Sequence, residues 1–359
     1  MVQSKSFASL FTLLIATGCA AGSAPGGSSN VGGGGVGGSG GRSATTTGPG
    51  GSSPASSSSG LGTGAATSSS TGGSAPGVIY SHTNTTLFQV DSTSLSVTQI
   101  GDFDCIGNGG DTSMTDVAVD SHGNIWGISK SNVYSLEIQG SSVHCAQKIP
   151  LSGAGGAVFY GLSFAPAGVI DPQKEVLVAG NTAGELWAID DAGHVSQHGT
   201  FGAVPTNDGN GHTYPNAGKV WELSGDIVFL SNGGQPVGFA TVRDCPHPPD
   251  PSNCDQSDTL IQLDLSHLGP GTQSVTQSVR GKITQGTGCS MNDTHAEDFG
   301  KLYGIGAWND KVFGFSNSGA LIEIDNNDGS ACLVQYFSHD AWAGAGVTTA
   351  APVIVPNPK

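Results

Sequence analysis

A five-residue pattern recurs five times along the chain: apolar, then aromatic or Ile, any residue, apolar, then acid. The copies are Leu87-Phe88-Gln89-Val90-Asp91, Val133-Tyr134-Ser135-Leu136-Glu137, Leu186-Trp187-Ala188-Ile189-Asp190, Leu260-Ile261-Gln262-Leu263-Asp264 and Leu321-Ile322-Glu323-Ile324-Asp325. A unit repeated every few tens of residues constrains the fold more than any local propensity, because each copy must bury its apolar face against its neighbours. Each pentapeptide alternates its side chains and is rich in β-formers, so it reads as a strand.

The flanking segments repeat with it. An apolar strand precedes each copy: Val78-Ile79-Tyr80, Ile125-Trp126-Gly127-Ile128, Val176-Leu177-Val178, Ile227-Val228-Phe229-Leu230 and Val312-Phe313-Gly314-Phe315. A more polar strand follows, as in Val97-Thr98-Gln99, Val195-Ser196-Gln197, Val275-Thr276-Gln277 and Val334-Gln335, with a counterpart near Val143. Four copies also have a strand ahead of this trio: Val117-Ala118-Val119, Tyr160-Gly161-Leu162, Val220-Trp221-Glu222-Leu223 and Leu302-Tyr303-Gly304-Ile305. The first copy lacks one, and Val347-Thr348-Thr349-Ala350 is left over to supply it. Four-stranded units that close by exchanging a terminal strand predict an all-β fold, a five-bladed β-propeller with six blades as the alternative count. The stretch 233–258 is expected to be an excursion from the fourth blade.

The turn Asp120-Ser121-His122-Gly123-Asn124-Ile125-Trp126 resembles propellers of the NHL, lyase and lactonase-like group. That group includes sugar-lactone hydrolases, streptogramin lyases and plain binding modules, so the resemblance implies the repeat architecture and no particular activity.

Composition divides the chain into three zones. Residues 1–19 carry Lys5, an apolar run from Phe7 to Ile15 and then Ala16-Thr17-Gly18-Cys19. Such a run is too short for a mature membrane span and reads as a signal peptide. Small residues before a cysteine resemble the lipobox of bacterial lipoproteins, which implies acylation of Cys19 and anchoring to a lipid bilayer. The expected location is the cell envelope, at the outer membrane or cell surface, or free secretion if the lipobox is not used. Residues 20–76 are almost wholly Gly, Ser, Ala, Thr and Pro and are expected to form a disordered tether with a reach on the order of 40 Å. Residues 77–359 are expected to form the folded domain, a monomer.

All 28 acidic residues follow residue 76, together with ten of the twelve basic ones, leaving the expected domain at −18. Such a field repels phosphate backbones and argues against nucleic-acid binding. Of seven cysteines, setting aside Cys19 leaves six, an even set that reads as disulfides in an exported domain. Cys245 and Cys254 flank a Pro-rich stretch and make the best pair. Cys105 with Cys145 and Cys289 with Cys332 would each join neighbouring repeats.

No motif of established chemistry is present: no GxSxG elbow, P-loop, HExxH or dinucleotide fingerprint. Asp325-Asn326-Asn327-Asp328-Gly329 fails the EF-hand template and reads as a hairpin turn. In a propeller, the connections from one blade's outer strand to the next blade's inner strand cross the channel face. Here they carry Asp111 and Asp116, then Asp208 and His212, then Asp293, His295 and Asp298. Oxygen and imidazole donors of this kind suit Ca²⁺, or a transition metal in a mixed site. Trp308 and Trp342 lie in turns and connections, where they could stack on a sugar or peptide. The expectation is a binding module for a protein, peptide or glycan ligand, with a metal-dependent lactonase- or lyase-like enzyme as the alternative.

Overall fold

The computed structural model describes residues 77–107, 111–245, 253–293, 295–338 and 341–355. The signal peptide, Cys19 and the tether lie outside the described residues. The fold is all-β. The first meander comprises β1 (Val78–His82), β2 (Thr86–Asp91) and β3 (Val97–Phe103). The second comprises β4 (Met114–Val119), β5 (Ile125–Ser129), β6 (Asn132–Gln139) and β7 (Ser142–Pro150). The third comprises β8 (Phe159–Ala165), β9 (Val176–Asn181), β10 (Glu185–Ile189) and β11 (Val195–Thr200). The fourth comprises β12 (Glu222–Leu230), β13 (Val237–Arg243) and β14 (Thr259–Leu263), with an outer edge of β15 (Gly271–Ser274) and β16 (Thr276–Lys282). After the short β17 (Thr284–Gln285), the fifth comprises β18 (Leu302–Trp308), β19 (Lys311–Ser316), β20 (Ala320–Asp325) and β21 (Ser330–Tyr336). Last is β22 (Gly344–Val347).

All five pentapeptides fall on corresponding strands: β2, β6, β10, β14 and β20. Each is the third strand of its sheet, because β22 pairs antiparallel with β1 and so supplies the first meander's missing strand. The first strands touch in a cycle: β22 packs on β4, β4 on β8, β8 on β12, β12 on β18, and β18 back on β22. Neighbouring meanders are also tied at their outer edges. The end of β3 runs parallel to β7, β15 parallel to β11, and β17 parallel to β21. The first of these pairings joins two meanders into one eight-stranded sheet.

All three expected disulfides are present. Cys105–Cys145 (Cα–Cα 5.8 Å) and Cys289–Cys332 (Cα–Cα 5.3 Å) occupy equivalent places: each fastens an incoming connection to the outer strand of the meander it enters. Cys245–Cys254 closes the connection from β13 to β14.

Two readings need correction. The fourth meander was expected to have separate strands at Val220–Leu223 and Ile227–Leu230. These are one strand, β12, with a register shift between Leu223 and Ile227. Ser224-Gly225-Asp226 resembles a turn in sequence. In the structure a Cβ at Gly225 would collide with the Leu302 carbonyl, so glycine is needed for close strand approach rather than for turning. The second strand is therefore β13, within the stretch expected to be an excursion.

The second correction concerns Trp342. It is fully buried, with Phe88, Phe315 and Phe337 packed edge-on around it at centroid distances of 5.2, 5.7 and 5.3 Å. Trp308 is half-buried against the same cluster. Neither is a free stacking platform. Edge-to-face packing of this kind adds to the area term, so Trp342→Ala is expected to lower the free energy of unfolding by about 3–5 kcal/mol in urea titration.

Candidate functional site

The seven acids and histidines expected to converge on a metal do not do so as a set. Asp111 accepts hydrogen bonds from Ser129 Oγ, from Asn132 Nδ2 at 2.7 Å and from the Tyr134 hydroxyl at 2.6 Å. Burial works against its charge, yet these three donors hold its carboxyl below the ordinary range. Asp208 accepts from the backbone amides of Asn210 (2.8 Å) and His212 (3.0 Å), and its second oxygen lies 2.7 Å from His212 Nδ1. Both residues serve as loop clasps. Among the described residues, no three of these seven side chains drawn from different connections come together within 4.8 Å.

One local group of the seven does. Asp293, His295 and Asp298 bring ligating atoms within 4.8 Å of one another. The side chains of Asp293 and Asp298 are 2 % and 5 % exposed, while that of His295 is 70 % exposed. His295 Nδ1 lies 3.1 Å from Asp293 Oδ1, and Asp298 accepts from Ser318 Oγ. Asp293 Oδ2 is buried without a hydrogen-bond partner.

Asp116 has a different setting. It lies on β4, in the cycle of first strands, and is fully buried. One oxygen accepts from the Leu162 amide of β8; the other is unpartnered and lies 3.7 Å from His82 Nε2, also buried and unpartnered. His82 Nδ1 bonds the Thr83 carbonyl at 2.7 Å, so that nitrogen carries the ring proton and Nε2 presents a lone pair. Asp226, on β12, accepts from the amides of Ile227 (2.6 Å) and Ile305 (2.7 Å), and its carboxyl interacts directly with that of Asp116. A Cβ at Gly344 would collide with both Asp116 and His82.

Three ionisable groups from three meanders thus share one dry site. Burial pushes Asp226 up to about 8, burial and the nearby Asp226 charge push Asp116 well above the carboxylate range, and burial lowers His82 to about 4. The acids therefore favour the folded state when protonated, a contribution lost as pH rises through about 8. His82 works in the opposite sense, its contribution fading as pH falls from 6.5 through about 4. Above pH 6.5 the acid slope stands alone among these three groups, and the melting temperature is expected to fall between pH 6.5 and 9. Asp116→Asn preserves an acceptor for Leu162 and puts a donor opposite the His82 lone pair. It is expected to flatten that fall in a pH series of thermal melts.

His82 and Asp226 escaped the sequence reading: one ends an apolar strand, and the other stands in an apparent turn. A polar residue flanked closely by an apolar run at an inner position was the available signal.

Among several concavities, two bear on a ligand site. At the edge where connections enter the first strands, a pocket of about 280 Å³ is lined by Tyr160, Glu222, Arg243 and Tyr303. Its guanidinium is already committed, to Asp258 at 2.9 Å and Ser224 at 2.8 Å. The larger is a groove of about 740 Å³ between the second and third meanders. Trp126 and Ile149 line it from one side, and Phe164, Leu177 and Val195 from the other. Asp171, Lys174, Glu175, Asp190, Asp191 and His194, which line it, belong to the first and third turns of the third meander. Antiparallel alternation places those turns at the edge opposite the incoming connections. This groove thus opens away from the connections in which the sequence places its candidate metal ligands.

No known protein family matches the chain, and no curated protein matches it. Solved structures that align along about three-quarters of it include one reported as "The de novo evolutionary emergence of a symmetrical protein is shaped by folding constraints" (13 % identity, 77 % of this chain and 99 % of that one, TM-score 0.36). A Nidogen/Laminin complex chain aligns at 9 % identity, 76 % and 98 % coverage and a TM-score of 0.38. A protein of unknown function from Bacteroides caccae aligns at 10 % identity, 76 % and 99 % coverage and a TM-score of 0.33. Likenesses this distant carry neither fold nor function to the present chain.

Proposed function

We propose that the chain is a five-bladed β-propeller that acts outside the cytoplasm as a binding module, with the groove between its second and third meanders as the ligand site. The groove carries this reading. Its volume, about 740 Å³, lies in the range of small-molecule sites, and its walls are mainly apolar with a few polar groups at the edge. The cycle of first strands and the pairing of β22 with β1 support the propeller. Three disulfides are compatible with an extracytoplasmic location. The acyl anchor at Cys19 and the tether rest on the sequence alone.

Ser196 lines the groove and is exposed, so Ser196→Trp fills space without disturbing the core. A neutral apolar dye, N-phenyl-1-naphthylamine, is expected to bind the wild-type protein with enhanced fluorescence. The variant is expected to lose at least tenfold in affinity with little change in melting temperature. Unchanged dye binding by a folded variant would remove the groove from consideration.

A metal-dependent role is the second reading, favoured by the unpartnered buried oxygen of Asp293 beside His295 and Asp298. It predicts heat and a raised melting temperature on titration with Ca²⁺ or Zn²⁺, both abolished in Asp293→Asn. Silence with both ions would end it.

A further inference from the structure

We infer that the ligand of this groove is a small cationic amphiphile: an apolar chain or ring system bearing a permanent positive charge. The inference rests on the groove being the ligand site and adds the chemistry of its occupant.

Four carboxylates line the groove, Asp171, Glu175, Asp190 and Asp191, against a single ammonium, Lys174. Each acid is held in place. Asp171 Oδ1 accepts from the amides of Gln173 (2.8 Å) and Lys174 (3.1 Å). Asp190 accepts from those of Ala192 and His194, both at 2.9 Å, and from the His194 ring at 3.1 Å. Glu175 accepts from Ser121 N (2.8 Å) and Ser121 Oγ (2.9 Å), and from Thr349. Asp191 alone among them makes a direct ion pair with an ammonium, Lys174 Nζ at 2.5 Å, and both side chains are largely exposed. Hydrogen bonds from amides and hydroxyls fix a carboxylate and favour its ionised form without cancelling its charge. A negative edge therefore borders an apolar interior, and the long-range field of a chain of net charge −16 reinforces it.

The interior suits the other half of such a ligand. At the roughly 30 Å³ that one water occupies in the liquid, the volume accommodates about 25 non-hydrogen atoms, the size of a chain with a head group. Trp126 contributes an indole to the lining, the ring system that best attracts an ammonium. An anionic amphiphile would meet like charge at the two turns that carry these acids. A neutral one would gain the apolar contacts alone.

The test uses the full chain and three ten-carbon probes below their micellar concentrations, at pH 8 and low salt: decyltrimethylammonium, decyl maltoside and decanoate. Binding is read by calorimetry. Decyltrimethylammonium is expected to bind at least tenfold more tightly than decyl maltoside, with decanoate weakest. The advantage is expected to shrink at 0.3 M salt, because exposed charges are screened. Asp171→Asn with Asp191→Asn keeps the loop acceptors and is expected to reduce the cation's advantage while leaving maltoside binding unchanged. Equal binding of cationic and neutral probes, or preference for the anion, overturns the inference while leaving the groove as an apolar site. Binding of no probe overturns both.

Discussion

The fold depends on a contact made where no solvent reaches. Asp116 of the second meander accepts the Leu162 amide of the third, and Asp226 of the fourth accepts the Ile305 amide of the fifth. The two carboxyls interact with each other, and His82 of the first meander stands 3.7 Å from Asp116. One buried cluster thus touches every unit of the repeat. A buried carboxyl costs several kcal/mol when charged, so the cluster is tolerable only with a proton retained and with backbone amides in place to satisfy its oxygens. Those amides are in place only when the first strands are correctly registered against one another. The same groups that oppose burial therefore discriminate against misregistered packing, and glycines such as Gly225 and Gly344 give the strands room to approach.

The junctions between meanders differ in how they are filled. Trp342 fills one beside Phe88, Phe315 and Phe337, and Trp221 fills another beside Tyr214. Between the second and third meanders Trp126 is only part-buried, and it lines the groove there. A groove preformed in a rigid scaffold would lower the ordering cost of any binding there.

Much of the scaffold is legible in the sequence because it is written five times. The pentapeptides share one position in every sheet, the leftover C-terminal strand completes the first, and the even cysteine set pairs as expected. Reading fails where a residue's role is set by a distant partner. Ser224-Gly225-Asp226 has the composition of a turn, yet Gly225 answers to Leu302 and Asp226 to Ile305. Trp342 lies in a connection and is nonetheless core. Asp293, His295 and Asp298 were found because they are neighbours in sequence. The groove leaves no motif, since it arises from packing that two meanders do not complete.

Whether the ring is closed through its axis can be measured by native-state hydrogen exchange. A closed ring predicts that the amides of Leu162, Ile305 and the β22 strand exchange together, in the slowest class and at the free energy of global unfolding. If the β22 amides exchange far faster than those of Leu162 and Ile305, the terminal strand opens on its own, and the account of a ring locked by its axial cluster is wrong.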